Sequence, residues 1–424
     1  MSARQERPSG PVRILISRLP GEVRVAALRE ERLEDLLILR DDRPRVLGNI
    51  YLGRVQEIST GLEAAFIDIG LPRPGLLPRG EAPGKKQLGH ALSEGDTVTV
   101  KVVREAGEDK GVRLTARIHD PPAGLEASAS DADCPSLLTE GADPLLALIA
   151  RQNEIEAIVV DDSGFCRDLA MRLEAAGMSG AEVTYDPALR PLFEREGVEE
   201  QIDALLYPLV ELPGGGSLLI EPVRTLTAID VNLGAMATSG TAQNQALEVN
   251  LKAMTEIARQ LRLRAVAGLI VVDCLEMRDK KARDQVVASL RLALKDDDQP
   301  CQVMGMSPSG LLEMTRRRAG PTLAELLTEP GGEEGSGRQR DAATLAYEAL
   351  RLALREAEAA PGSEILVKAP DRVVQLLRKG QVAKARSLVE KRLGQGLQLE
   401  CLQHNPEKDG YAALPRLEVL AVQR

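Results

Sequence analysis

The chain has no tryptophan, and only three phenylalanines and five tyrosines among 424 residues. Its cores must therefore be aliphatic, and an apolar content of 43% is enough to build them for two to four domains. No apolar run approaches the roughly 18 residues that a membrane-spanning helix needs. Met1-Ser-Ala-Arg-Gln-Glu-Arg-Pro8 has no apolar signal-peptide core, so a cytoplasmic protein without a membrane partner is expected. The five cysteines (Cys134, Cys166, Cys274, Cys301, Cys401) are far apart and form no CxxC pair. That spacing indicates neither a zinc knuckle nor a disulfide framework, and it fits a reducing compartment. His90, His119 and His404 sit in no partner pattern and receive no role. A basic excess is also missing. The net charge of −10 argues against a simple nucleic-acid-coating protein, although a local basic groove is still compatible with it.

What is present divides the chain into segments. Residues 12–40 hold short apolar runs that read as strands. Residues 48–118 give five strand-like segments (49–58, 62–69, 75–78, 96–104, 112–118) punctuated by glycines, which suggests a small closed barrel of OB-fold size. Residues 119–143 are rich in Pro, Gly, Ala, Ser and Asp and read as a linker with little structure. Residues 144–212 alternate helix and strand, an α/β layer. A second α/β unit at 213–329 has strands at 217–222, 225–231, 269–273 and 301–306 and helices at 243–264 and 281–295, with Gly310-Leu-Leu-Glu-Met314 read as helical. Residues 330–340 read as a flexible linker. Residues 341–424 read as a small α+β domain, with helices near 341–359, 370–378 and 380–391 and strands near 364–368, 397–403 and 416–422.

Two aspartates end apolar strands: Leu226-Thr-Ala-Ile-Asp230-Val-Asn232 and Gly268-Leu-Ile-Val-Val-Asp273. Asp230 and Asn232 are two apart on a strand and share a face. If the second strand lies beside the first, Asp273 meets them. Two carboxylates suit Mg2+, which takes hard oxygen ligands and keeps several waters, with Asn232 orienting one carboxylate. Taken singly, each aspartate reads equally as a turn former or helix cap. Between the strands, a long amphipathic helix carries Arg259, Arg262 and Arg264, a basic flank for a phosphodiester substrate or an ordinary surface. Arg316-Arg-Arg318 is either a phosphate clamp or a solvated helix face. Phe66 in the barrel is either a stacking platform for a base or a core residue. Tyr51, Arg54, Lys101 and Lys110 would extend a nucleic-acid face.

These residues resemble the ribonuclease E/G family of bacterial endoribonucleases. The stretches that carry the resemblance are Gly48-Asn-Ile-Tyr-Leu-Gly-Arg-Val55, Leu62-Glu-Ala-Ala-Phe-Ile-Asp-Ile-Gly70 and Leu226–Asn232, followed by Asn250-Leu-Lys-Ala-Met-Thr-Glu-Ile-Ala-Arg-Gln-Leu-Arg-Leu-Arg264, Gly268–Asp273 and Gly310-Leu-Leu-Glu-Met-Thr-Arg-Arg-Arg318. The resemblance implies an α/β multidomain chain. An RNase H-like domain (1–46 and 144–212) is interrupted by an S1-type OB-fold RNA-binding domain (47–118). A DNase I-like catalytic domain (213–329) and a small C-terminal α+β domain (341–424) follow. It implies cleavage of single-stranded RNA leaving 5′-phosphate and 3′-hydroxyl ends. Mg2+, or Mn2+ in its place, would be held by Asp230 and Asp273, with Asn232 completing the catalytic group. RNA would be held by Phe66 and Lys110 and by the Arg316–Arg318 run, Arg316 and Arg318 in particular.

The chain departs from the family pattern at several places. Leu76 stands where a second barrel aromatic is expected. The 119–143 segment replaces most of the 5′-end sensor, whose Arg-Thr pair is missing, so no preference for 5′-monophosphorylated RNA is expected. Thr328-Glu-Pro-Gly-Gly-Glu333 replaces the zinc-link motif, so no zinc is expected, and any homo-oligomer would assemble without a shared metal. Cys274 and Glu276 follow Asp273 where the family has an aromatic and an aspartate. Two other readings stand beside the nuclease: a catalytically weak or inactive RNA-binding scaffold of the same descent, and a DNA nuclease, because the metal site itself does not read the 2′-hydroxyl.

Overall fold

The computed structural model describes residues 10–83, 92–107, 110–119, 121–122, 124–125, 128–129, 132–178, 180, 182–234, 241–331, 337–402 and 417–422. His90, His404 and the middle of the 330–340 segment lie outside them. The fold divides into two compact bodies, one of residues 45–147 with 317–322, the other of 1–44, 148–316 and 323–424.

In the second body, the expected strands β1 (Val12–Leu19), β2 (Glu22–Arg29) and β3 (Arg32–Arg40) form an antiparallel meander. The other body is a barrel. Its strands are β4 (Ile50–Ser59), β5 (Ala64–Asp68), β6 (Gly75–Pro78), β7 (Thr97–Arg104) and β8 (Arg113–Thr115). They pair in the ring β4-β5-β6-β8-β7-β4, in which β5 meets only Arg54–Ser59 of β4 and leaves one side of Ile50–Leu52 unpaired by the ring. The interior is aliphatic as composition requires, with Val55, Ile67, Leu77, Val100 and Leu114 at its centre. Gly53 has no room for a side chain, since an added Cβ would lie 2.5 Å from Ile67 Cγ2.

The 119–143 segment is not a bare linker. Its β9 (Ser136–Thr139) pairs antiparallel with β4 and covers Tyr51, which is therefore core and not part of an RNA-facing surface. A Pro- and Gly-rich composition does not exclude a strand where β4 offers unpaired backbone groups. The segment belongs to the same compact body as the barrel.

The chain continues through α1 (Pro144–Ala150), β10 (Ile155–Val160), α2 (Ser163–Ala175), β11 (Val183–Tyr185), α3 (Leu192–Arg195) and α4 (Val198–Ala204). β10 and β11 add in parallel to the meander, giving a mixed sheet ordered β11-β10-β1-β2-β3.

A six-stranded sheet follows, built from β12 (Leu209–Glu211), β13 (Ser217–Pro222), β14 (Thr227–Asn232), β15 (Gly268–Asp273), β16 (Cys301–Met306) and β17 (Leu311–Arg316). Two helices, α5 (Ala242–Leu263) and α6 (Lys280–Ala293), pack on one face over Ile229, Val231, Ile270, Val272, Leu312 and Met314. β17 corrects an expectation. Leu312, Met314 and Arg316 are buried with half-buried residues between them, which is the two-residue period of a strand and not the 3.6-residue period of a helix.

After α7 (Leu323–Leu327), β18 (Thr328–Pro330) and β19 (Arg338–Arg340) pair as an antiparallel ribbon where a flexible linker was expected. The small C-terminal layer has α8 (Ala342–Ala359), α9 (Asp371–Arg378) and α10 (Gly380–Leu393) against β20 (Glu364–Ala369), β21 (Leu397–Cys401) and β22 (Glu418–Val422), with β20 central. Among the described residues no helix is long and apolar enough to cross a membrane.

Candidate active site

β14 and β15 are parallel neighbours, joined by α5 as a crossover, and their register sets Asp230 directly opposite Asp273. Ile229, Val231 and Val272 turn inward, which leaves both carboxylates on the open face of the sheet, where they are exposed. Neighbouring strands run roughly 4.8 Å apart, so two like charges meet with no side chain between them. Asn232 completes the group by donating from Nδ2 to Asp230 Oδ2 at 3.0 Å. One amide thus holds one carboxylate in place, and the other oxygens of the pair can accept a cation. Among the described residues no cluster of three or more His, Cys, Asp or Glu could hold a metal. Two carboxylates with open water positions nonetheless suit Mg2+, which usually binds through one or two carboxylates.

Two features that the sequence alone does not tie to these carboxylates support the group. The first is the Gly214-Gly-Gly216 turn, in which φ is +81°, +105° and +89°, a left-handed region that glycine enters without strain. A Cβ at Gly216 would lie 2.8 Å from the backbone oxygen of Asn232, so the turn is built to press against the end of β14. We expect Gly216→Ala to displace Asn232 and slow RNA cleavage by about 10- to 100-fold, the usual cost of losing a ligand-orienting contact. Cleavage rate and a melting curve measured together check this, and a variant cutting at the wild-type rate would refute it.

The second feature is Asn250 on α5, fully buried. Its Nδ2 donates to Leu275 O at 2.9 Å and its Oδ1 accepts from Leu275 N at 3.0 Å. In the first turn of the same helix, Gln243 Oε1 accepts from Arg278 N at 2.9 Å. The loop that follows Asp273 is thereby tied to α5 at both ends. A buried polar residue on an otherwise apolar helix face was the available sequence signal.

Several predicted residues lie elsewhere. α5 spans about 33 Å at 1.5 Å per residue and runs back against the strands, so its basic C-terminal turns sit at the far end of the sheet from the aspartates. There Arg259 Nε donates to Leu33 O at 2.9 Å, Arg262 pairs with Glu34 at 3.6 Å, and Arg264 Nε donates to Gln260 Oε1 at 2.6 Å. Burial holds the Arg264 guanidinium down to about 10, despite the opposing pull of Glu256. These arginines bind the helix to its surroundings and do not flank the carboxylates.

Arg316 is also internal. Its Nε donates to both oxygens of Asp297 at 3.0 and 3.1 Å, its Nη1 to Val266 O at 3.0 Å and its Nη2 to Asp298 Oδ1 at 2.8 Å. A guanidinium engaged on all sides is not offered to a phosphate. Arg318 belongs to the barrel body, where its Nε donates to Gly320 O at 3.3 Å. In that body Phe66 and Leu76 are directly paired and half-buried on the outer face, and Lys110 is exposed in the β7–β8 connection. Burial, then the Asp273 charge, pushes the Cys274 thiol up to about 12, so it stays protonated and is no nucleophile. Its neighbour Glu276 is exposed.

The model of the Ribonuclease E/G family matches residues 114–319. Ribonuclease G of Salmonella typhimurium is 26% identical over 91% of this chain and 96% of its own length. Ribonuclease G of Escherichia coli K12 is 27% identical over the same shares, 91% and 96%. Ribonuclease E of Escherichia coli K12 is 29% identical over 79% of this chain, which spans 40% of that larger protein. Among solved structures, GSP13 from Bacillus subtilis aligns with 20% of this chain and 72% of its own at 24% identity, with a TM-score of 0.15. The family match contains both strand-end aspartates and Asn232, and the ribonucleases G align with the chain almost from end to end. Over most of its length, and over residues 114–319 by the family's own model, the chain is similar to the ribonuclease E/G family.

Proposed function

We propose that this protein is a Mg2+-dependent endoribonuclease that hydrolyses single-stranded RNA in the cytoplasm and leaves 5′-phosphate and 3′-hydroxyl ends. The observation that carries this reading is the register of β14 on β15, which opposes Asp230 and Asp273 on an exposed face with Asn232 bonded to the first. Mg2+, or Mn2+ in its place, would lower the pKa of a coordinated water and neutralise charge on the attacked phosphate. Asp230 and Asp273 would hold the ion, and Asn232 would fix the Asp230 carboxylate in the orientation that accepts it. The loop after Asp273, clamped by Asn250 and Gln243, would keep the second carboxylate from swinging away.

The architecture supports a finer domain reading. The barrel ring is the OB-fold arrangement and fits an S1-type RNA-binding module. The mixed five-stranded sheet, interrupted in sequence by that barrel, supports an RNase H-like domain over 1–46 and 144–212. The sheet with α5 and α6 supports a DNase I-like catalytic domain over 213–329. The ribbon of β18 and β19 occupies the place of a zinc link without supplying a cysteine ligand, so any assembly of copies would not be metal-bridged. Without the sensor's Arg-Thr pair, RNAs with 5′-monophosphate and 5′-triphosphate ends should be cut at similar rates.

The test is a matched pair of end-labelled A/U-rich single-stranded RNA and DNA oligonucleotides, each with Mg2+ or with EDTA. The expected result is internal cutting of the RNA alone, with Mg2+ alone, giving downstream fragments whose 5′-phosphate a ligase accepts. RNA bound but uncut would favour the scaffold reading. Equal cutting of the DNA would remove RNA specificity.

A further inference from the structure

The outer face of the barrel carries a row of side chains that the catalytic site does not use. In β7, Val98, Val100 and Val102 point into the barrel, and strict alternation would send Arg104 inward as well. The register shifts between Val102 and Arg104, so that Val103 is an extra residue and Arg104 pairs directly with Arg113 of β8. Bulges of this kind re-aim a side chain. Leu114 is buried in the barrel, so Arg113 faces outward, and Arg104 now shares its face. The row continues, because Arg113 pairs with Leu76 of β6, and Leu76 pairs with Phe66 of β5. Phe66, Leu76, Arg113 and Arg104 therefore stand side by side across four adjacent strands, all half-buried.

Two arginines directly opposite each other destabilise a strand pair. Among the described residues neither forms an ion pair with a carboxylate. The adjacent Glu105 is turned away, with Oε1 accepting from Val46 N at 3.0 Å and Leu47 N at 3.2 Å. Burial, then the charges of Arg113 and Arg318, lowers the Arg104 pKa, so three guanidinium groups converge on this corner. A fold that re-aims one cation onto another gains from it when an anion lies between them.

We propose that Arg104 and Arg113, with Arg318 beside them, form a phosphate site for the RNA nucleotide next to the base stacked on Phe66. The inference rests on the RNA-binding reading of the barrel. Arg113 is two strands from Phe66, about 10 Å along the row, which one nucleotide and a long side chain bridge. Leu76 between them supplies apolar contact without an aromatic face, and the paired arginines take up the grip that a second stacking ring would give. RNA would then cross the barrel strands from β5 to β7.

The experiment uses the full chain, a labelled A/U-rich single-stranded RNA and EDTA to prevent cleavage, with affinity measured across a potassium chloride series. Each phosphate contact on a single strand contributes about 0.7 to the slope of log affinity against log salt. The Arg104→Gln/Arg113→Gln variant, which removes that one contact, should therefore lose about 0.7 from the wild-type slope, and the Lys/Lys variant should keep it. Phe66→Leu should lower affinity at every salt concentration and leave the slope unchanged. Removing two opposed cations does not threaten folding, and a melting curve checks that. Should the double variant not fold, either single Gln variant should lose part of that 0.7. An unchanged slope in the Gln/Gln protein, with wild type still binding and cutting RNA, overturns the phosphate site alone. A wild type that neither binds RNA in EDTA nor cuts it in Mg2+ overturns the site and the underlying reading together.

Discussion

Asp230→Asn or Asp273→Asn is expected to lower Mg2+-dependent RNA cleavage by on the order of a thousandfold and to leave RNA affinity in EDTA unchanged. The magnitude follows from the several kcal/mol of charge stabilisation that a bound cation supplies, at about 1.4 kcal/mol per factor of ten in rate. Affinity should survive because the two side chains lie on the sheet of β14 and β15 and the stacking residue Phe66 lies on the barrel. A second readout is independent of activity. With no cation present, Asp230 and Asp273 repel each other as directly opposed like charges, which costs about 0.2–1 kcal/mol in a strand pair. Neutralising either one should raise the melting temperature in EDTA. Mg2+ should raise the melting temperature of the wild type, because a ligand that binds only the folded state stabilises it, and should not raise that of the variants. A wild-type rate in either variant, or a Mg2+-dependent melting shift that persists in both, would remove these carboxylates from the site.

Arg316→Ala should have the largest effect on folding. The side chain is 4% exposed and that of its partner Asp297 is 0% exposed, so the pair is internal. Removing one member of a buried ion pair leaves the other charged and desolvated, which costs about 3–5 kcal/mol. Asp298 adds to this. Burial alone would raise its carboxyl pKa, but Arg316 and Arg151 outweigh burial and hold it below the ordinary aspartate value. A carboxyl with a depressed folded-state pKa contributes stability that is present above its unfolded pKa, and that contribution is lost as pH falls through the folded value. At neutral pH the whole network is intact, and there Arg316→Ala should weaken urea resistance most. The comparison should narrow in strong acid. Urea unfolding followed by circular dichroism at both pH values measures this. Full stability combined with weakened RNA binding would instead return Arg316 to the role of an exposed phosphate ligand.

The two arginines of the Arg316–Arg318 run show what one sequence can and cannot reveal. Both read as cations near the end of a domain. Arg316 became internal because Leu311–Arg316 is a strand whose even-numbered residues turn inward, and because Asp297 and Asp298 wait at the end of α6. The two leucines and Met314 fit a helical and a strand period equally over so short a stretch, and only pairing with β15 and β16 on either side decides between them. β9 was overlooked for a related reason, since four residues in a proline- and glycine-rich segment become a strand only when an existing edge accepts them. Arg104 was passed over because alternation from Val98 to Val102 points it into the barrel, and the register shift that turns it outward leaves no local mark.

Short-range order was legible over most of the chain. β10, β13 and β16 begin and end where the apolar runs do, and α5 follows its Leu, Met and Ala face within a residue at each end. These elements are decided by periodicity and by glycine punctuation, which act within a few residues. The chemistry of the site was legible as residue types, two strand-end aspartates and an asparagine two positions on. Their meeting was not, because it depends on which strands become neighbours and in what register. That is a property of long-range backbone pairing, and a shift of one residue would have sent one carboxylate into the apolar core. The sequence by itself therefore determined the aliphatic cores, the barrel strands and the identity of the candidate ligands. Only the tertiary structure set Asp230 opposite Asp273, withdrew Arg259 and Arg316 into internal ion pairs and turned Arg104 outward, because each of these rests on contacts between segments far apart in the chain.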